Sequence, residues 1–404
     1  MRLARLAWML CVVMALLGCR GRAPQPQRRV TTLQVGAPSD AKRLLRGFTA
    51  GNAALRWTNR VFAVALDRPE IAGTPTFLEM DFSIPQELIK DTGSVTLTVR
   101  ANGVEACRQS YQEATRYLLS CQVPEKGLEK LPAEIEVEAD RSYRDAGARE
   151  DRALLVLSMA LKEYEATAEF EKTQAAKPRE AFARVAERWK GLPPDQLREM
   201  TGLFYRAPVY MNTWYQGVQI AKAPLDLWIM QQIIHESKPD FIIETGTWQG
   251  GSALYFASVL HSLGRGGRVL TVDIVNRHRP AETHSLWKQY VDFFLGSSTD
   301  QEIVKTIRER VKNQRVLVTL DSDHSLLHVL KELKLYGPLV SKGSYLIVED
   351  THMDGVPTLA DYTTGPLAAV ERFLETGGNK DFDVDYSREM FMVSFNPGGW
   401  LRRK

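Results

Sequence analysis

Short apolar runs that end in an acidic residue recur through the second half of the chain. The clearest is residues 241–244, Phe-Ile-Ile-Glu, which is followed by a glycine-rich turn and a segment of helical period. Because the run is too short for a helix, it predicts a buried strand, and the whole stretch predicts the strand, loop and helix of a Rossmann-like unit. Similar runs at 268–273, 316–320 and 344–348 predict further buried strands. The fold class predicted for this half is therefore α/β.

The glycine-rich turn after Glu244 is the first candidate binding feature. Glycines let the main chain adopt positive φ angles and let a ligand approach backbone N–H groups, and the start of the following helix favours negative charge. Only Gly246 fits the dinucleotide pattern G-x-G-x-x-G. An acid directly before the first glycine instead resembles motif I of S-adenosylmethionine (SAM) methyltransferases. The predicted cofactor-binding residues of this turn are Glu244, Gly246, Thr247, Gly250, Gly251 and Ser252.

The first part of the chain has a different pattern, with alternating or β-branched runs between turn signals. Runs at 76–82, 95–99 and 134–138 predict a small β-rich accessory domain over residues 46–145. Residues 146–200 are rich in leucine, alanine, glutamate and lysine, and they predict a helical connector. The α/β domain is expected over residues 201–404. Near its end, 381–386 and 390–395 predict a hairpin that supplies the reversed last strand of a seven-stranded mixed sheet.

The first residues have the form of a secretion signal. Arg2 and Arg5 precede an apolar stretch, and Leu16-Leu17-Gly18-Cys19 resembles a bacterial lipobox. This implies a signal peptide over 1–18, lipid attachment to Cys19, and membrane anchoring at the outer membrane or periplasmic face. The alternatives are an uncleaved signal anchor, a mis-assigned start, or an enzyme at the cytoplasmic side of the inner membrane. Residues 19–45 are expected to form a flexible tether.

Cys107 and Cys121 are the two thiols in the part of the chain that is expected to fold. Export would place them in an oxidising compartment, and strand-like segments flank both. A disulfide across neighbouring strands is therefore predicted, with two buried free cysteines as the alternative. A metal site is disfavoured because no histidine or further cysteine lies close by in the sequence.

Composition adds only broad limits. With 404 residues, 44% hydrophobic and 25% charged, the chain is long enough for two domains with real cores. The net charge of +3 and the lack of a basic block interleaved with aromatic residues give no support for a nucleic-acid partner. The oligomeric state is not indicated.

Several separated motifs occur in order from about residue 210 to the end. They are Trp214-Tyr-Gln-Gly217, Lys222-Ala-Pro-Leu-Asp226, Leu320-Asp-Ser-Asp-His-Ser325, Leu346-Ile-Val-Glu-Asp-Thr351 and Phe395-Asn-Pro-Gly-Gly-Trp-Leu-Arg402. With the glycine-rich turn, they resemble the cephalosporin hydroxylase family, which has a SAM-dependent O-methyltransferase fold and includes rhamnosyl O-methyltransferases. The resemblance implies SAM as the cofactor. It also implies that the acceptor is a hydroxyl of a small molecule, a sugar or an envelope glycolipid.

Two further residues are predicted to contact the cofactor. Asp273 ends the second predicted strand, where a carboxylate can accept hydrogen bonds from ribose hydroxyls. A helix cap or a surface acid is the alternative for this residue. Residues 296–300, Gly-Ser-Ser-Thr-Asp, match a Gly-x-Ser-x-Asp stretch of the family, which implies that Ser298 lies near the adenine side of the SAM pocket.

Carboxylates follow two more predicted strands, with Asp321 and Asp323 after one and Glu349 and Asp350 after the other. Parallel strands bring their carboxyl ends to one edge of a sheet, so these acids are expected to converge. Unpaired carboxylates repel one another unless a cation joins them, and oxygen ligands suit Mg²⁺ or a similar divalent ion. By resemblance, Asp323, Glu349 and Asp350 match the family's metal ligands, with Asp321 as the substitute.

A cation at this edge would bind a substrate hydroxyl, lower its pKa and orient the oxyanion toward the SAM methyl group. The predicted catalytic residues are Asp323 and His324, with His324 or His352 as the acceptor of the substrate proton. A structural role is the alternative for either histidine. An iron hydroxylase is disfavoured because no histidine follows His352-Met353-Asp354 in the chain.

The predicted export and the predicted SAM site are difficult to combine, because SAM is made in the cytoplasm. The alternative function is an exported binding protein that kept the fold and lost the reaction. The intact glycines and the retained acids favour the enzyme.

Overall fold

The computed structural model describes residues 29–51, 55–69, 75–90, 93–144, 151–175, 179–189, 191–355 and 364–404. Two compact units make up the chain, and their boundary falls between Glu169 and Phe170. The predicted signal peptide and Cys19 lie outside the described residues. Within those residues, no helix is both long enough and apolar enough to cross a bilayer.

Nine strands form one antiparallel sheet in the N-terminal unit. They are β1 (Thr32–Gln34), β2 (Leu44–Gly51), β3 (Arg56–Leu66), β4 (Thr76–Ser83), β5 (Val95–Ala101), β6 (Val104–Tyr111), β7 (Arg116–Val123), β8 (Ala133–Ala139) and β9 (Leu155–Glu163). The order is β6-β5-β8-β3-β9-β4-β7, with β1 paired to β9 and β2 paired to β3. A short helix, α1 (Gln86–Ile89), follows β4.

Alternation of apolar and polar residues explains this sheet. Along β8, buried residues alternate with half-buried ones, as expected for a strand with one face on the core. Ile135 and Val137 are fully buried, while Glu136 and Glu138 lie on the other face and pair with Arg100. The predicted β-rich domain therefore corresponds to this unit, although its bounds differ from the prediction.

The first difference concerns residues 32–45, which were expected to belong to a tether. β1 pairs with β9, and the side chains of Leu33 and Val35 are fully buried. Because most residues of this segment are polar, the sequence pattern did not indicate that these two apolar residues belong to the core.

The second difference concerns the predicted connector. Residues Leu155–Glu163 form β9, which lies between β3 and β4 in the sheet, and Met159 is fully buried. A dense apolar run has no clear period, so neighbouring strands rather than local preference decide its structure. Helices begin only afterwards, with α2 (Ala168–Ala175), α3 (Ala181–Arg188) and α4 (Pro194–Arg206).

Cys107 on β6 and Cys121 on β7 form a disulfide, with a Cα–Cα distance of 6.2 Å. These two strands are the first and the last in the order of the sheet. The rings of Tyr111 and Tyr117 also meet between them, with centroids 4.5 Å apart. The predicted disulfide is therefore present, but it joins the two outermost strands of the sheet order and not neighbouring strands as expected.

The C-terminal unit contains a seven-stranded mixed sheet. Its strands are β12 (Phe241–Thr245), β13 (Arg268–Asp273), β14 (Val291–Leu295), β15 (Val316–Leu320), β16 (Tyr345–Val348), β17 (Phe382–Val384) and β18 (Trp400–Arg403), and a two-stranded ribbon of β10 (Trp214–Tyr215) and β11 (Val218–Gln219) precedes it. The order is β14-β13-β12-β15-β16-β18-β17. β12 to β16 are parallel to one another, and β18 runs antiparallel to both of its neighbours.

Helices accompany this sheet in the pattern of a Rossmann-like fold. They are α5 (Pro224–Ser237), α6 (Gly251–Leu263), α7 (Arg279–Glu282), α8 (Ser285–Tyr290), α9 (Gln301–Arg310), α10 (Leu326–Tyr336) and α11 (Pro366–Glu375). In α6, Ala253, Phe256, Ala257 and Leu260 repeat at helical spacing and are buried in the same core as the strand residue Ile242. The α/β fold with a seven-stranded mixed sheet is confirmed.

The last strands differ in detail from the predicted hairpin. Residues 382–384 form β17 as expected, but the reversed strand between β16 and β17 is β18, at 400–403, and not the segment 390–395. The N–H of Phe395 is bound by the buried carboxylate of Asp226 at 2.8 Å. The apolar residues of 390–395 therefore belong to a loop that is anchored to α5.

Candidate active site

A cavity of about 790 Å³ opens at the carboxyl ends of β12, β13, β15 and β16. The sheet order reverses direction around β12, which has β13 on one side and β15 on the other, and α/β proteins bind ligands at such a point. Ten of the predicted site residues line the cavity: Gly246, Thr247, Gly251, Ser252, Asp273, Ser298, Asp321, Asp323, His324 and Asp350. Glu244, Gly250 and Glu349 do not line it.

The glycine-rich turn forms one wall of the cavity and has no room for side chains at two positions. Gly246 has a φ of 86°, and a Cβ atom added to it would overlap the carbonyl oxygen of Asp321. A Cβ atom at Gly251 would overlap the carbonyl oxygen of Gln219. These contacts explain why glycine is needed at both places.

The side chain of Glu244 lies in the interior of the unit and does not line the cavity. Its side chain is fully buried, and one carboxylate oxygen accepts a hydrogen bond from the Thr271 hydroxyl at 2.6 Å. Burial raises the pKa of Glu244 to about 7, although the nearby ammonium of Lys222 opposes this. Glu244 does not line the cavity, and the cofactor contact that the resemblance to motif I implies for it stays a prediction.

Asp273 lines the cavity from the end of β13. Its two carboxylate oxygens accept hydrogen bonds from the backbone N–H groups of Trp248, at 2.8 Å, and Val275, at 3.0 Å. Ser298 is held on the other side of the cavity, where its hydroxyl lies 3.0 Å from the imidazole Nε2 of His328. Both positions agree with the expected neighbourhood of a cofactor, and the contacts themselves stay a prediction.

Asp321, His324 and Asp350 form a compact cluster at the ends of β15 and β16. One ligand atom from each lies within 4.8 Å of the others. The Nε2 atom of His324 is 3.4 Å from a carboxylate oxygen of Asp321 and 3.4 Å from one of Asp350. Burial alone would lower the pKa of His324, but the charges of Asp350 and Asp321 raise it to about 9.

The backbone of Asp350 has the unusual φ angle of 57°. Its N–H donates a hydrogen bond to the side-chain oxygen of Asn396 at 3.0 Å, on the loop that Asp226 anchors. A non-glycine residue in this conformation is strained unless its surroundings hold it. Asn396 therefore holds Asp350 in the conformation that forms the cluster.

Asp323 is turned away from the cluster. Its carboxylate accepts a hydrogen bond from the N–H of Ser325 at 2.8 Å, just before α10, and its side chain is exposed. Although it lines the cavity, it does not share the cluster with Asp321 and Asp350. Among the described residues, Asp321 thus lies inside the cluster and Asp323 outside it, and which of the two binds a metal stays a prediction.

The carboxylate of Glu349 is bound by Lys222, a residue for which the sequence analysis predicted no role. The ammonium of Lys222 lies 2.6 Å from one Glu349 oxygen and 2.6 Å from one Asp321 oxygen, and only 4% of the lysine side chain is exposed. Burial alone would lower the pKa of Lys222, but the charges of Asp321 and Glu349 raise it above its ordinary value. The same ammonium holds the pKa of Asp321 below its usual range against the effect of burial.

Aromatic side chains form the wall of the cavity next to Asp350. The rings of Tyr205 and Tyr210 are stacked with centroids 5.2 Å apart, and both residues line the cavity. Behind them, the imidazole of His352 is fully buried and stacked on Phe395 at 4.2 Å. Burial lowers the pKa of His352, which packs in the interior and does not line the cavity, in agreement with the structural alternative.

Comparison with known proteins shows to which family the chain belongs. The model of the family "Rhamnosyl O-methyltransferase/CmcI" matches residues 207–404. A rhamnosyl O-methyltransferase of Mycobacterium tuberculosis (strain ATCC 25618 / H37Rv) is 39% identical over 204 residues, which are 50% of this chain and 82% of that protein. The chain belongs to the rhamnosyl O-methyltransferase/CmcI family. A second relative, the rhamnosyl O-methyltransferase of Mycobacterium leprae (strain TN), is 36% identical over 217 residues, 52% of this chain and 93% of that protein.

Solved structures of methyltransferases are also similar to the C-terminal half. A CmcI structure described as holding Mg and SAM is 17% identical and covers 48% of this chain and 77% of its own, with a TM-score of 0.34. An O-methyltransferase of Bacillus cereus in complex with SAH is 17% identical and covers 51% of this chain and 86% of its own, with a TM-score of 0.30. On the strength of the family and its curated members, this chain is a SAM-dependent O-methyltransferase.

Two features of this family member were not predicted from its residues. Lys222 had a weak signal, because a lone lysine stands in the apolar stretch Ile220-Ala-Lys-Ala-Pro224. The pair Tyr205 and Tyr210 had none, since aromatic residues near the end of a helix are more often part of a core. Both features depend on contacts between segments that are far apart in the sequence.

Proposed function

We propose that the protein transfers a methyl group from SAM to a sugar hydroxyl, with the help of a divalent cation held by Asp321, His324 and Asp350. The supporting observation is that these three side chains share one cavity with the glycine-rich turn. A cofactor and an acceptor that must react with each other have to lie in the same enclosed space.

The cavity fits SAM in size and chemistry. Its volume of about 790 Å³ is in the range of cofactor pockets. Gly246 and Gly251 line the cavity, and α6 begins directly after Gly250, where backbone N–H groups favour a carboxylate. Asp273 offers a carboxylate at the place where a Rossmann-like fold binds ribose.

The cluster fits a divalent cation by its donors. Two carboxylates and one imidazole suit Mg²⁺ or Mn²⁺, and their ligand atoms lie within 4.8 Å of one another. When bound, SAM supplies an electrophilic methyl group and the cation supplies Lewis acidity that lowers the pKa of the acceptor hydroxyl.

The side chains of the protein have three tasks in this reaction. Asn396 keeps Asp350 in its strained conformation, so that the carboxylate stays aimed into the cluster. His324 would hold the cation through Nε2, the atom that lies 3.4 Å from both carboxylates, and the proton of the acceptor hydroxyl would pass to water. Tyr205 and Tyr210 exclude water and orient the acceptor ring beside Asp350.

We favour a sugar as the acceptor because of this aromatic wall. The apolar faces of a pyranose ring pack well against aromatic rings, and the stacked pair presents such a surface next to the cluster. The curated relatives are named rhamnosyl O-methyltransferases, so a deoxysugar is the first acceptor to test.

The test uses the full chain in three variants. Asp350→Asn keeps a residue that tolerates positive φ but removes the charge, so it should weaken Mn²⁺ binding at least about tenfold and methyl transfer about 1000-fold. His324→Gln removes one of the three cation ligands, so it should weaken Mn²⁺ binding, lower turnover about 100-fold and leave SAM affinity unchanged. SAM and Mn²⁺ affinities are measured by calorimetry, and turnover by SAH released with rhamnosides as acceptors.

Asp323→Asn is the matched control, because it removes a carboxylate that lines the same cavity but lies outside the cluster. Its Mn²⁺ affinity should stay within about twofold of the wild type. Equal losses in the Asp323 and Asp350 variants would contradict the proposed cation site. A folded protein that does not bind SAM would contradict the function itself.

A further inference from the structure

A series of polar contacts leads from the interior of the C-terminal unit to the cavity wall at Ser298. It begins at Glu332 on α10, whose side chain is fully buried and accepts a hydrogen bond from the Ser322 hydroxyl at 2.7 Å. The same carboxylate oxygen lies 3.5 Å from Nε2 of His328, and that nitrogen lies 3.0 Å from the Ser298 hydroxyl oxygen. His328 and Ser298 both line the cavity, so a buried charge is connected to a hydroxyl group that a ligand can reach.

The carboxylate of Glu332 determines which partner donates in the hydrogen bond between His328 and Ser298. A carboxylate only accepts hydrogen bonds, so Nε2 of His328 carries a hydrogen atom, because a lone pair there would face negative charge. Burial alone would lower the pKa of His328, but the hydrogen bond and the charge of Glu332 raise it. Nε2 therefore donates to the Ser298 oxygen, and the Ser298 O–H group has to point elsewhere.

Ser298 lies at the part of the cavity where the base of SAM is expected. Along the edge of the sheet, the cation cluster follows β15 and β16, the glycine-rich turn follows β12, Asp273 ends β13, and Ser298 follows β14. The N–H of Gly296 donates to the carbonyl oxygen of Asp273 at 2.9 Å, so these last two segments are neighbours. In SAM the ribose separates the sulfur that carries the methyl group from the adenine. With the methyl group toward the cluster and the ribose at Asp273, the adenine reaches Ser298.

We propose that His328 is a positioning residue that directs the Ser298 hydroxyl toward the adenine of SAM, so that Ser298 donates a hydrogen bond to a ring nitrogen of the base. The inference rests on the proposed function, because it assumes that SAM occupies this cavity. Ring nitrogens of adenine accept hydrogen bonds, whereas its amino group donates them. Within the described part of the chain, no acceptor other than a ligand lies within hydrogen-bonding distance of the Ser298 O–H group.

Analogues of SAH in which one ring nitrogen of adenine is replaced by C–H test this hydrogen bond. The 1-deaza, 3-deaza and 7-deaza analogues are titrated into the full chain by calorimetry, beside SAH itself. At least one of them should bind the wild type about tenfold more weakly than SAH, because the donor at Ser298 loses its acceptor. In Ser298→Ala the affinities for that analogue and for SAH should agree within about twofold.

Variants of His328 test its positioning role. His328→Phe keeps an aromatic ring and removes the N–H group, so SAH should bind about fivefold more weakly, and the penalty of the same analogue should shrink to about twofold. His328→Gln places an amide N–H near the position of Nε2 and should restore most of the wild-type affinity. In Ser298→Ala/His328→Phe the second change should alter SAH affinity by no more than about twofold, because His328 acts through Ser298.

Ser297→Ala is the matched control, because it removes a neighbouring hydroxyl whose oxygen lies 3.0 Å from the Thr299 hydroxyl oxygen. This variant should keep the penalty of the deaza analogue. If His328→Phe does not fold, His328→Asn replaces it, since its side chain is too short to reach Ser298 and the same loss is expected.

Three results would overturn the inference. The first is equal affinity of the wild type for SAH and for all three analogues. The second is a loss in the His328 variant that adds in full to the loss in Ser298→Ala. Both would leave the proposed function in place, because SAH still binds. The third is a folded wild-type protein that binds no SAH, and this result would overturn the proposed function as well.

Discussion

The outer face of β8 and the loop around Asn396 treat acidic residues in opposite ways. In the N-terminal unit, Glu136 and Glu138 lie on the outer face of β8 and pair with Arg100 at 3.2 and 3.0 Å, over a core of apolar side chains. In the C-terminal unit, burial raises the pKa of Asp226 to about 7 and that of Glu389 to about 8. The carboxylates on β8 therefore stay near water, whereas the carboxyl groups of Asp226 and Glu389 are buried away from it.

The difference reflects how much it costs to remove a carboxylate from water. Half-exposed ion pairs contribute little to stability and cost little. Buried carboxylates are expensive, so a fold keeps them where they position a loop or form a binding site. Asp226 and Glu389 both bind backbone N–H groups of the loop that holds Asn396, and Asn396 in turn holds Asp350.

The largest expected effect concerns the glycine-rich turn. Gly246→Ala should lower the free energy of unfolding of the C-terminal unit by more than about 4 kcal/mol, because the new methyl group would overlap the backbone of Asp321. Gly266→Ala is the matched control: it has a similar φ of 75° and open space around it, so strain alone should cost about 1 kcal/mol. Chemical denaturation measures both, and similar losses would mean that close packing against Asp321 is unimportant.

A smaller effect is expected from the disulfide. Cys107→Ala/Cys121→Ala removes a bond between residues that are 14 apart in sequence, which should destabilise the N-terminal unit by about 3 kcal/mol. Hydrogen exchange followed by mass spectrometry can assign the loss to β3, β4 and β9. Protection in β12 to β16 should not change. An equal loss of protection in both units would contradict the expectation that the bond stabilises the N-terminal unit alone.

The smallest effect concerns pH. The buried carboxyl of Glu389 keeps its proton in the folded protein up to about pH 8, whereas the unfolded chain loses it near about pH 4.3. Between these values the folded state binds more protons, so rising pH favours unfolding. Glu389→Gln removes this dependence.

The unfolding free energy of the Glu389→Gln variant should therefore rise relative to the wild type by about 2 kcal/mol between about pH 5 and about pH 6.5. The Gln carbonyl can still accept the hydrogen bond from the Gly398 N–H, which limits other effects of the change. Denaturation curves at the two pH values give the difference. A difference that does not vary with pH would show that Glu389 is ionised in the folded protein.

The parallel strands and the turn between β12 and α6 could be predicted because their signals are local. A short apolar run with a terminal acid and a following glycine leaves few other structures. The convergence of Asp321 and Asp350 also followed from the geometry of parallel strands. Cys107 and Cys121 could be paired because they are the two cysteines flanked by strand-like segments.

The remaining features depend on contacts that no local pattern records. The apolar run at 155–163 forms β9 and not a helix because it pairs with β3 and β4 on its two sides. Asp323 lies outside the cluster and accepts a hydrogen bond from the N–H of Ser325, a contact that its position after the strand does not reveal. The occupation of Glu349 depends on Lys222, which is 127 residues away in the sequence.

The link between β6 and β7 also bears on how the chain avoids other copies of itself. The outermost strands of a sheet offer unpaired N–H and C=O groups to foreign strands, and this is how edge-to-edge aggregation begins. Here those two strands are tied to each other through Cys107 and Cys121 and carry charged residues such as Arg108 and Arg116. Oxidation of one pair of thiols therefore protects both edges at once, and a newly made chain is most prone to aggregate before that bond has formed.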